Sequence, residues 1–483
     1  LIKERQLKKL IKRALSKATK TGASYSDMRV ISRQNESIHT KNGDVDVLTS
    51  NDNRGFGIRV ISDGAWGFSS SSVINETEVD RVAQEAVDIA KASAKVLREK
   101  VKLDEGEVHV DDVPAGVKDD PRNVPLSDRV KFALEADKTM KMDGIVDRSV
   151  NLNNIHEDKY FGSSEGAMIY QEDVKVGAGL NAVASDGNDI ARRSYPASFG
   201  GVFSRDGWSY VKKHNLVENG SKTAKEAIEI LNAKPCPKGK KDLVIEGSQL
   251  ALQLHESIGH PVELDRVFGT EAAFAGKSFI KTDMMGNFKY GSDIVNVTAD
   301  ATIPRAFGGF AYDDDGIKAK RVHIIKEGIF QRFLDSREDA ARVGMNSMGA
   351  NRASSWDNIP IVRMVSVNLE PGDATFDELI SDVNDGIYVS TVLTWSIDDM
   401  RLNFQFTTQL GWEIKNGKLG DMIKRPTYTG ISYEFWRSCD AIGNKDMWKV
   451  WGVPNCGKGQ PMQLMHVSHG TSPSRFRSVQ VGV

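Results

Sequence analysis

The run Leu254-His255-Glu256-Ser257-Ile258-Gly259-His260 restricts the local fold more than any other stretch of the 483 residues. It sets two histidines five positions apart with a glutamate beside the first. In a regular α-helix five residues advance about 500°, which leaves the two side chains roughly 140° apart, whereas a four-residue spacing leaves them about 40° apart. If His255 and His260 are to face one metal ion, the helix that carries them must be distorted. A single π-type turn supplies that distortion by lengthening the local repeat, and such bulges favour functional sites. The sequence suits it: Gly259 has no Cβ to clash, and Pro261 removes the next backbone donor, so the helix can end just after the second histidine.

The residue types fit zinc chemistry. Zinc is held by neutral histidine, thiolate or carboxylate, and a catalytic site keeps three protein ligands and one open position. His255 and His260 are two candidate ligands, and Glu256 is a candidate base for water that the metal has acidified. A third ligand has to come from elsewhere in the second half of the chain, and Cys456, Cys439, His466, His469, Glu263 and His323 are the candidates. Glu263 follows His260 by three residues, close enough to support it, with Pro261 turning the chain between them. His466 and His469 have a spacing that can chelate metal. Cys456 sits in Pro454-Asn455-Cys456-Gly457-Lys458-Gly459, where glycines allow close backbone approach and Lys458 can help hold a thiolate.

The length exceeds what one hydrophobic core usually organises. A break is expected at Lys234-Pro235-Cys236-Pro237-Lys238-Gly239-Lys240-Lys241, where two prolines, a glycine and four lysines leave no apolar periodicity. The expected fold class is α+β: residues 1–233 form an N-terminal domain of mixed helix and antiparallel sheet, and residues 234–483 form a C-terminal β-rich domain carrying the zinc-site helix. Composition is 40% hydrophobic and 27% charged, with no apolar run near the roughly 20 residues that span a bilayer, so no membrane contact is expected. The net charge of -2 gives no reason to expect nucleic acid. A basic amphipathic segment over residues 3–20, from Lys3 to Lys20 and ended by Gly22, reads as a surface helix with a solvated face. Three cysteines make a poor disulfide framework, and Cys236 in the break reads as an exposed thiol. The chain begins at Leu1 rather than Met, which leaves an upstream export signal open; the cytoplasm is the expected location.

Periodicity fills in the rest. Strands are expected over residues 24–30, 36–40, 55–61 and 65–68, with Asp63-Gly64 as a hairpin turn. Helices follow near 76–95, capped by Asn75 with Glu78, and near 127–142. A β meander over 145–210 with a turn at Asp186-Gly187 leads to a helix at 222–231. After the break come a strand at 242–245, the box helix from about Ser248, strands near 278–282, 322–325, 361–369, 386–394 and 405–415, and a helix at 375–383.

With these residues in hand, the chain resembles the TldD/PmbA family of metallopeptidases, in its TldD-like branch that carries the metal site. In the first half the resemblance rests on Gly55-Phe56-Gly57-Ile58-Arg59-Val60, Asp63-Gly64-Ala65-Trp66-Gly67-Phe68 and Ala90-Lys91-Ala92-Ser93. In the second it rests on the histidine box with Glu263 and Asp265, Asp313-Asp314-Asp315-Gly316, Glu413-Ile414-Lys415-Asn416-Gly417-Lys418, Ala441-Ile442-Gly443-Asn444 and Cys456-Gly457-Lys458-Gly459-Gln460. The resemblance implies that His255, His260 and Cys456 bind Zn2+, that Glu256 is the catalytic base, and that Cys456 rather than Cys439 is the third ligand. It also implies cleavage of flexible or unfolded peptides inside a dimer, homomeric or with a PmbA-like partner. The segment Val267–Ala275 is only loosely like the TldD-like branch, and the tail Gly470–Phe476 differs from the better-known bacterial members, which bears on peptide specificity and partner choice.

Other features read more simply. Asp313-Asp314-Asp315-Gly316 lacks the alternating spacing of a calcium loop and reads as a turn joining two strands. Trp356, Trp395, Trp412, Trp436, Trp448 and Trp451 fall in the second half, as core packing or as walls of a peptide site. Asn351-Arg352 and Arg363-Met364 can hold a substrate backbone or make structural pairs. Three functions are consistent with the residues: a zinc endopeptidase that holds its substrate extended by strand addition, a catalytically weak peptide-binding partner subunit, and a regulator of nucleic acid or its enzymes. The intact box disfavours the second, and the near-neutral charge disfavours the third.

Overall fold

Leu7, Leu10, Ile11, Ala14 and Ala18 recur at helical spacing. In a computed structural model, which describes residues 4–273, 276–459 and 461–483, they form the buried face of helix α1 (Glu4–Lys20). Leu1, Lys3, Phe274, Ala275 and Gln460, named above, lie outside the described residues. Strands β1 (Tyr25–Lys41), β2 (Asp44–Ser62) and β3 (Ala65–Ser71) follow as a meander. Its two turns, Asn42-Gly43 and Asp63-Gly64, place all four residues at positive φ, as tight hairpins between right-twisted strands require. Helix α2 (Glu76–Ala94) starts where the Asn75 side chain accepts from the Glu78 amide at 2.9 Å, and it buries Val79, Val82, Ala83, Ala86, Val87 and Ala90.

β1 is one strand where the sequence suggested two. The stretch Arg33 to Glu36 shows no apolar alternation, but β1 lies between β2 and β5 (Ile145–Ser163) and its polar side chains pair across the ladder. Arg33 meets Glu157, and Ser37 donates to Asn153 at 2.9 Å. With β4 (Val110–Val113), β6 (Met168–Ser185), β7 (Ile190–Tyr195) and β8 (Val202–Ser204), these strands form an eight-stranded sheet in the order β3-β2-β1-β5-β6-β4, with β7 and β8 both against β6. Helices α3 (Leu126–Thr139), α4 (Trp208–Lys212) and α5 (Leu216–Asn232) contribute to a core centred on Ala133, Ala136, Leu216, Ala224 and Ala227. α5 begins six residues before the expected start at Lys222.

The expected break is more ordered than its composition suggests. β9 (Lys234–Pro235) pairs with residues 418–424, and β10 (Gly239–Ile245) already takes in Gly239, Lys240 and Lys241. β10 pairs with strands 385–397 and 474–481, and the order continues through 427–431 to 403–415, which pairs back onto 385–397. This ring of five strands closes on itself and leaves few unpaired edges. Helix α6 (Gly247–Leu254) follows β10 directly and is buried along its whole length. A four-stranded sheet (297–300, 321–326, 329–330, 367–369) and the hairpin 449–458/463–471 complete the second half. The fold is α+β. No helix among the described residues is long and apolar enough to cross a membrane.

Three expectations need correction. Residues 361–369, expected as one strand, form two, Ile361–Val362 and Val367–Leu369, in different sheets. Residues 278–282 form no strand; the nearby amides of Lys277 and Phe279 donate instead to the carbonyls of Asp399 and Met400. Asp313-Asp314-Asp315-Gly316 does turn, with Gly316 at φ +79°, but it is buried and joins the two halves of the molecule. Asp313 caps the amides of Asp315, Ile317 and Asn351, Asp314 receives Lys159 at 2.8 Å, and Asp315 receives Arg59 at 2.6 Å. Burial works to raise the Asp314 carboxyl, and Lys159 and Arg29 outweigh it and hold it well below the usual carboxylate range. Cations from β1, β2 and β5 pair with Asp314 and Asp315, whereas Asp313 has backbone amides only, and burial and the neighbouring Asp315 push its carboxyl well above the usual carboxylate range.

Candidate metal centre

α6 runs directly into a π-helical turn over His255–Gly259, in which the His260 amide donates to the His255 carbonyl at 3.0 Å, five residues back. The wider turn brings the two imidazoles together, with ring centroids 4.7 Å apart and planes at 88°. The bulge is clamped from outside the helix. Trp436 Nε1 donates to Ser257 Oγ at 2.8 Å, Ser257 Oγ donates to the Gln253 carbonyl at 2.5 Å, and the Tyr290 hydroxyl donates to the Ser257 carbonyl. Both aromatics are fully buried.

Gly259 is required by packing. Its backbone is ordinary helical, but a Cβ there would fall well inside contact distance of Met364 Sδ. Gly259→Ala is therefore expected to destabilise the fold by about 2 kcal/mol, as overpacking does, and to weaken metal binding by disturbing the bulge. Met364→Ala in the same chain should recover most of that loss. Denaturant melts of the two single variants and the double variant check it, and a fully additive double variant would assign the role of Gly259 elsewhere.

His255, His260 and Cys456 offer one ligand atom each, all within 4.8 Å of one another, and each residue is about 4% exposed. Cys456 arrives on the hairpin 449–458/463–471, with its Sγ 3.8 Å from His260 Nε2. Ligand bonds of about 2.05 Å to nitrogen and 2.3 Å to sulfur at a tetrahedral angle place the two atoms ~3.6 Å apart, so the observed separation suits one shared ion.

The hydrogen-bond partners fix the tautomers. The Val367 carbonyl can only accept, so His469 Nδ1 donates to it at 2.9 Å, and the neutral ring then presents Nε2 as an acceptor. His255 Nδ1, 2.8 Å away, donates to that Nε2 and leaves its own Nε2 lone pair free. His260 Nδ1 donates to Glu263 Oε2 at 2.9 Å, which likewise leaves Nε2 unprotonated on the side of Cys456. Burial lowers the pKa of both histidines and favours the neutral form that binds metal. Burial acts to raise the Cys456 thiol, but the nearby Arg363 guanidinium works against it, and the thiol lies below its ordinary value. The donor set is thus two neutral imidazoles and a thiol biased towards thiolate, a combination suited to zinc.

The other candidates for a third ligand are placed elsewhere or in support. Cys439 is buried with its sulfur towards the Ala441 carbonyl, and burial pushes its thiol pKa well up. His466 packs on Phe307 with ring centroids 4.5 Å apart, and His323 lies in strand 321–326. Glu263 and His469 orient the two histidines, the pattern by which outer groups set ligand geometry.

Lys458 does not face the thiol; it donates to Asp265 at 2.7 Å and to the Val362 carbonyl at 2.6 Å. The cation acting on Cys456 is Arg363, fully buried, which donates to the carbonyls of Cys456 and Gln463. Arg352 similarly donates to the carbonyls of Met364 and His466, so both arginines brace the backbone. Glu256, 5% exposed, accepts from Arg401 Nη1 at 2.7 Å. No motif marked Arg401, Tyr290 or Trp436 for these roles.

Comparison with known proteins finds relatives along nearly the whole chain. The family model for the PmbA/TldA metallopeptidase C-terminal domain matches residues 238–482, that for domain 1 matches residues 26–90, and that for the central domain matches residues 119–234. A metalloprotease of Methanothermobacter thermautotrophicus is 30% identical over 95% of each chain. A zinc metalloprotease TldD homolog of Saccharolobus solfataricus is 23% identical over 97% of this chain and 98% of its own. Among solved structures, TldE from Thermococcus kodakarensis superposes with a TM-score of 0.74 at 16% identity, covering 99% of this chain and 100% of that one, a likeness of fold.

Proposed function

Because this chain belongs to the PmbA/TldD metallopeptidase family, we propose that it is a zinc endopeptidase acting on flexible or unfolded peptides, with His255, His260 and Cys456 as metal ligands and Glu256 as the catalytic base. The observation that carries the reading is the convergence of three buried donor atoms within 4.8 Å beside a buried glutamate. When bound, the ion polarises the scissile carbonyl and acidifies water. Glu256 takes a proton from the attacking water as its oxygen bonds to the carbonyl carbon, and delivers that proton to the amine nitrogen as the C–N bond breaks. His469 and Glu263 keep the ligand nitrogens bare throughout. A single thiolate and two neutral imidazoles would leave a bound divalent ion with one net positive charge.

The peptide works best as an unstructured chain, since an extended backbone can add to a sheet. A dimer, homomeric or with a PmbA-like partner, is the proposed working form, supported by the likeness to TldE. The cytoplasm is the proposed location, supported by three free cysteines. The chain divides at 233/234, supported by the first sheet ending before Lys234 and the closed ring lying beyond it. Removing metal with a chelator should abolish cleavage of an unstructured fluorogenic peptide, and one equivalent of zinc should restore it. Cleavage that persists in metal-free protein would refute the reading, as would zinc-loaded protein that only binds the peptide.

A further inference from the structure

Arg401 reaches the histidine box from a turn that is unusual in its own right. The turn joins strands 385–397 and 403–415, and Arg401 stands in it at φ +60°. That left-handed conformation is uncommon for any residue with a side chain and is cheapest for glycine or asparagine. Here the backbone is pinned on every side. The Arg401 amide donates to the Asp398 carbonyl at 2.9 Å, and the Arg401 carbonyl accepts from Ser432 Oγ at 2.8 Å. The Asp398 carboxylate accepts from the amides of Leu402 and Asn403 at 2.8 and 3.1 Å and from Asn403 Nδ2 at 2.6 Å. The carbonyls of Asp399 and Met400 accept from the amides of Lys277 and Phe279 at 2.8 and 2.9 Å. Strained backbone persists where its surroundings over-determine it, and such residues cluster at functional sites.

If the turn needed only its shape, asparagine would serve at position 401. Arginine adds a guanidinium whose Nη1 sits 2.7 Å from Glu256 Oε2, with the two side chains 17% and 7% exposed. We propose that Arg401 is the positioning residue of the reaction: it tethers one oxygen of Glu256, fixes the rotation of the carboxylate, and leaves proton transfer to Oε1. The proposal rests on the reading of Glu256 as the proton-moving group. It places the donor on a rigid turn 145 residues away in sequence, so the carboxylate is aimed by the closed ring of strands rather than by its own helix. A preset base shortens the search for a reactive geometry, which is worth rate rather than substrate affinity.

The test compares Arg401→Asn, Arg401→Lys and the parent chain, each loaded with zinc, on an unstructured fluorogenic peptide. Asparagine tolerates the left-handed turn and keeps the backbone. Arg401→Asn is expected to retain the parent's zinc content while kcat falls about 100-fold and KM stays within about threefold, an effect of the size expected for impaired general-base catalysis. Added guanidinium ion should recover about tenfold of the loss, and Arg401→Lys should fall between the two. A crystal structure of Arg401→Asn should show the Glu256 carboxylate outside its parent rotamer, a readout independent of turnover. A kcat within about threefold of the parent, a loss explained wholly by KM or by missing zinc, or an unmoved Glu256 would overturn the proposal. If instead Glu256→Gln turns over like the parent, it is the reading of Glu256 as the catalytic base that fails, and the two failures are told apart by that single variant.

Discussion

Glu256→Gln should retain the parent's zinc content and lose about a thousandfold in kcat, ~4 kcal/mol of barrier. Glutamine matches glutamate in size and still offers Arg401 an oxygen acceptor, so the 2.7 Å contact and the packing of the box can survive the change. What disappears is the ability to take a proton and return it to the leaving amine. The three donor atoms do not depend on Glu256: His255 is oriented by His469, His260 by Glu263, and Cys456 by the hairpin and Arg363. Metal loading and turnover should therefore separate cleanly, read by zinc stoichiometry on one side and single-turnover peptide cleavage on the other. Unchanged turnover would remove Glu256 from the mechanism.

Cys456→Ala and Cys439→Ala should behave oppositely. Zinc binding in four-ligand sites is worth about 10–16 kcal/mol, so one ligand accounts for ~3–4 kcal/mol and its removal should weaken affinity by two to three powers of ten. Cys456→Ala leaves two imidazoles and no sulfur, and it should lose zinc to a competing chelator and turnover with it. Cys439 lies in strand 439–442 with its sulfur on the Ala441 carbonyl, so Cys439→Ala should keep both zinc and activity at a small cost in stability. The reverse result would mean that the second half of the chain packs differently around the box.

Much of this was legible in the sequence because the constraints were local. The five-residue spacing with Gly259 demanded a wider turn, and the π-turn over His255–Gly259 supplies it. Asn75 with Glu78 marks a helix start through a contact three residues long. Helical periodicity located α1 and α2 for the same reason.

What was not legible depends on distant partners. β1 reads as two strands until β2 and β5 are laid on either side of Arg33 to Glu36. Asp313, Asp314 and Asp315 read only as a turn joining two strands because Arg29, Arg59 and Lys159, which pair with Asp314 and Asp315, are more than 150 residues away. His469 was visible as a possible ligand, but its place behind His255 is set by the register of the hairpin that pairs it with Trp451. Arg401 left no trace, since a left-handed arginine has no sequence signature, and a glycine or asparagine would have drawn more notice. Lys458 was read as a partner for the thiolate from adjacency, whereas the buried Asp265 claims it.

X-ray absorption at the zinc edge of the purified, catalytically competent protein tests the central claim most directly, because it reports the atoms bound to the metal. A centre built from His255, His260 and Cys456 should give one sulfur scatterer near 2.3 Å and the multiple-scattering pattern of two imidazoles, with nitrogen at about 2.0–2.1 Å. The sulfur should vanish in Cys456→Ala forced to full loading and persist in Cys439→Ala. A first shell of nitrogen and oxygen alone in the parent protein would contradict the two-histidine, one-cysteine centre.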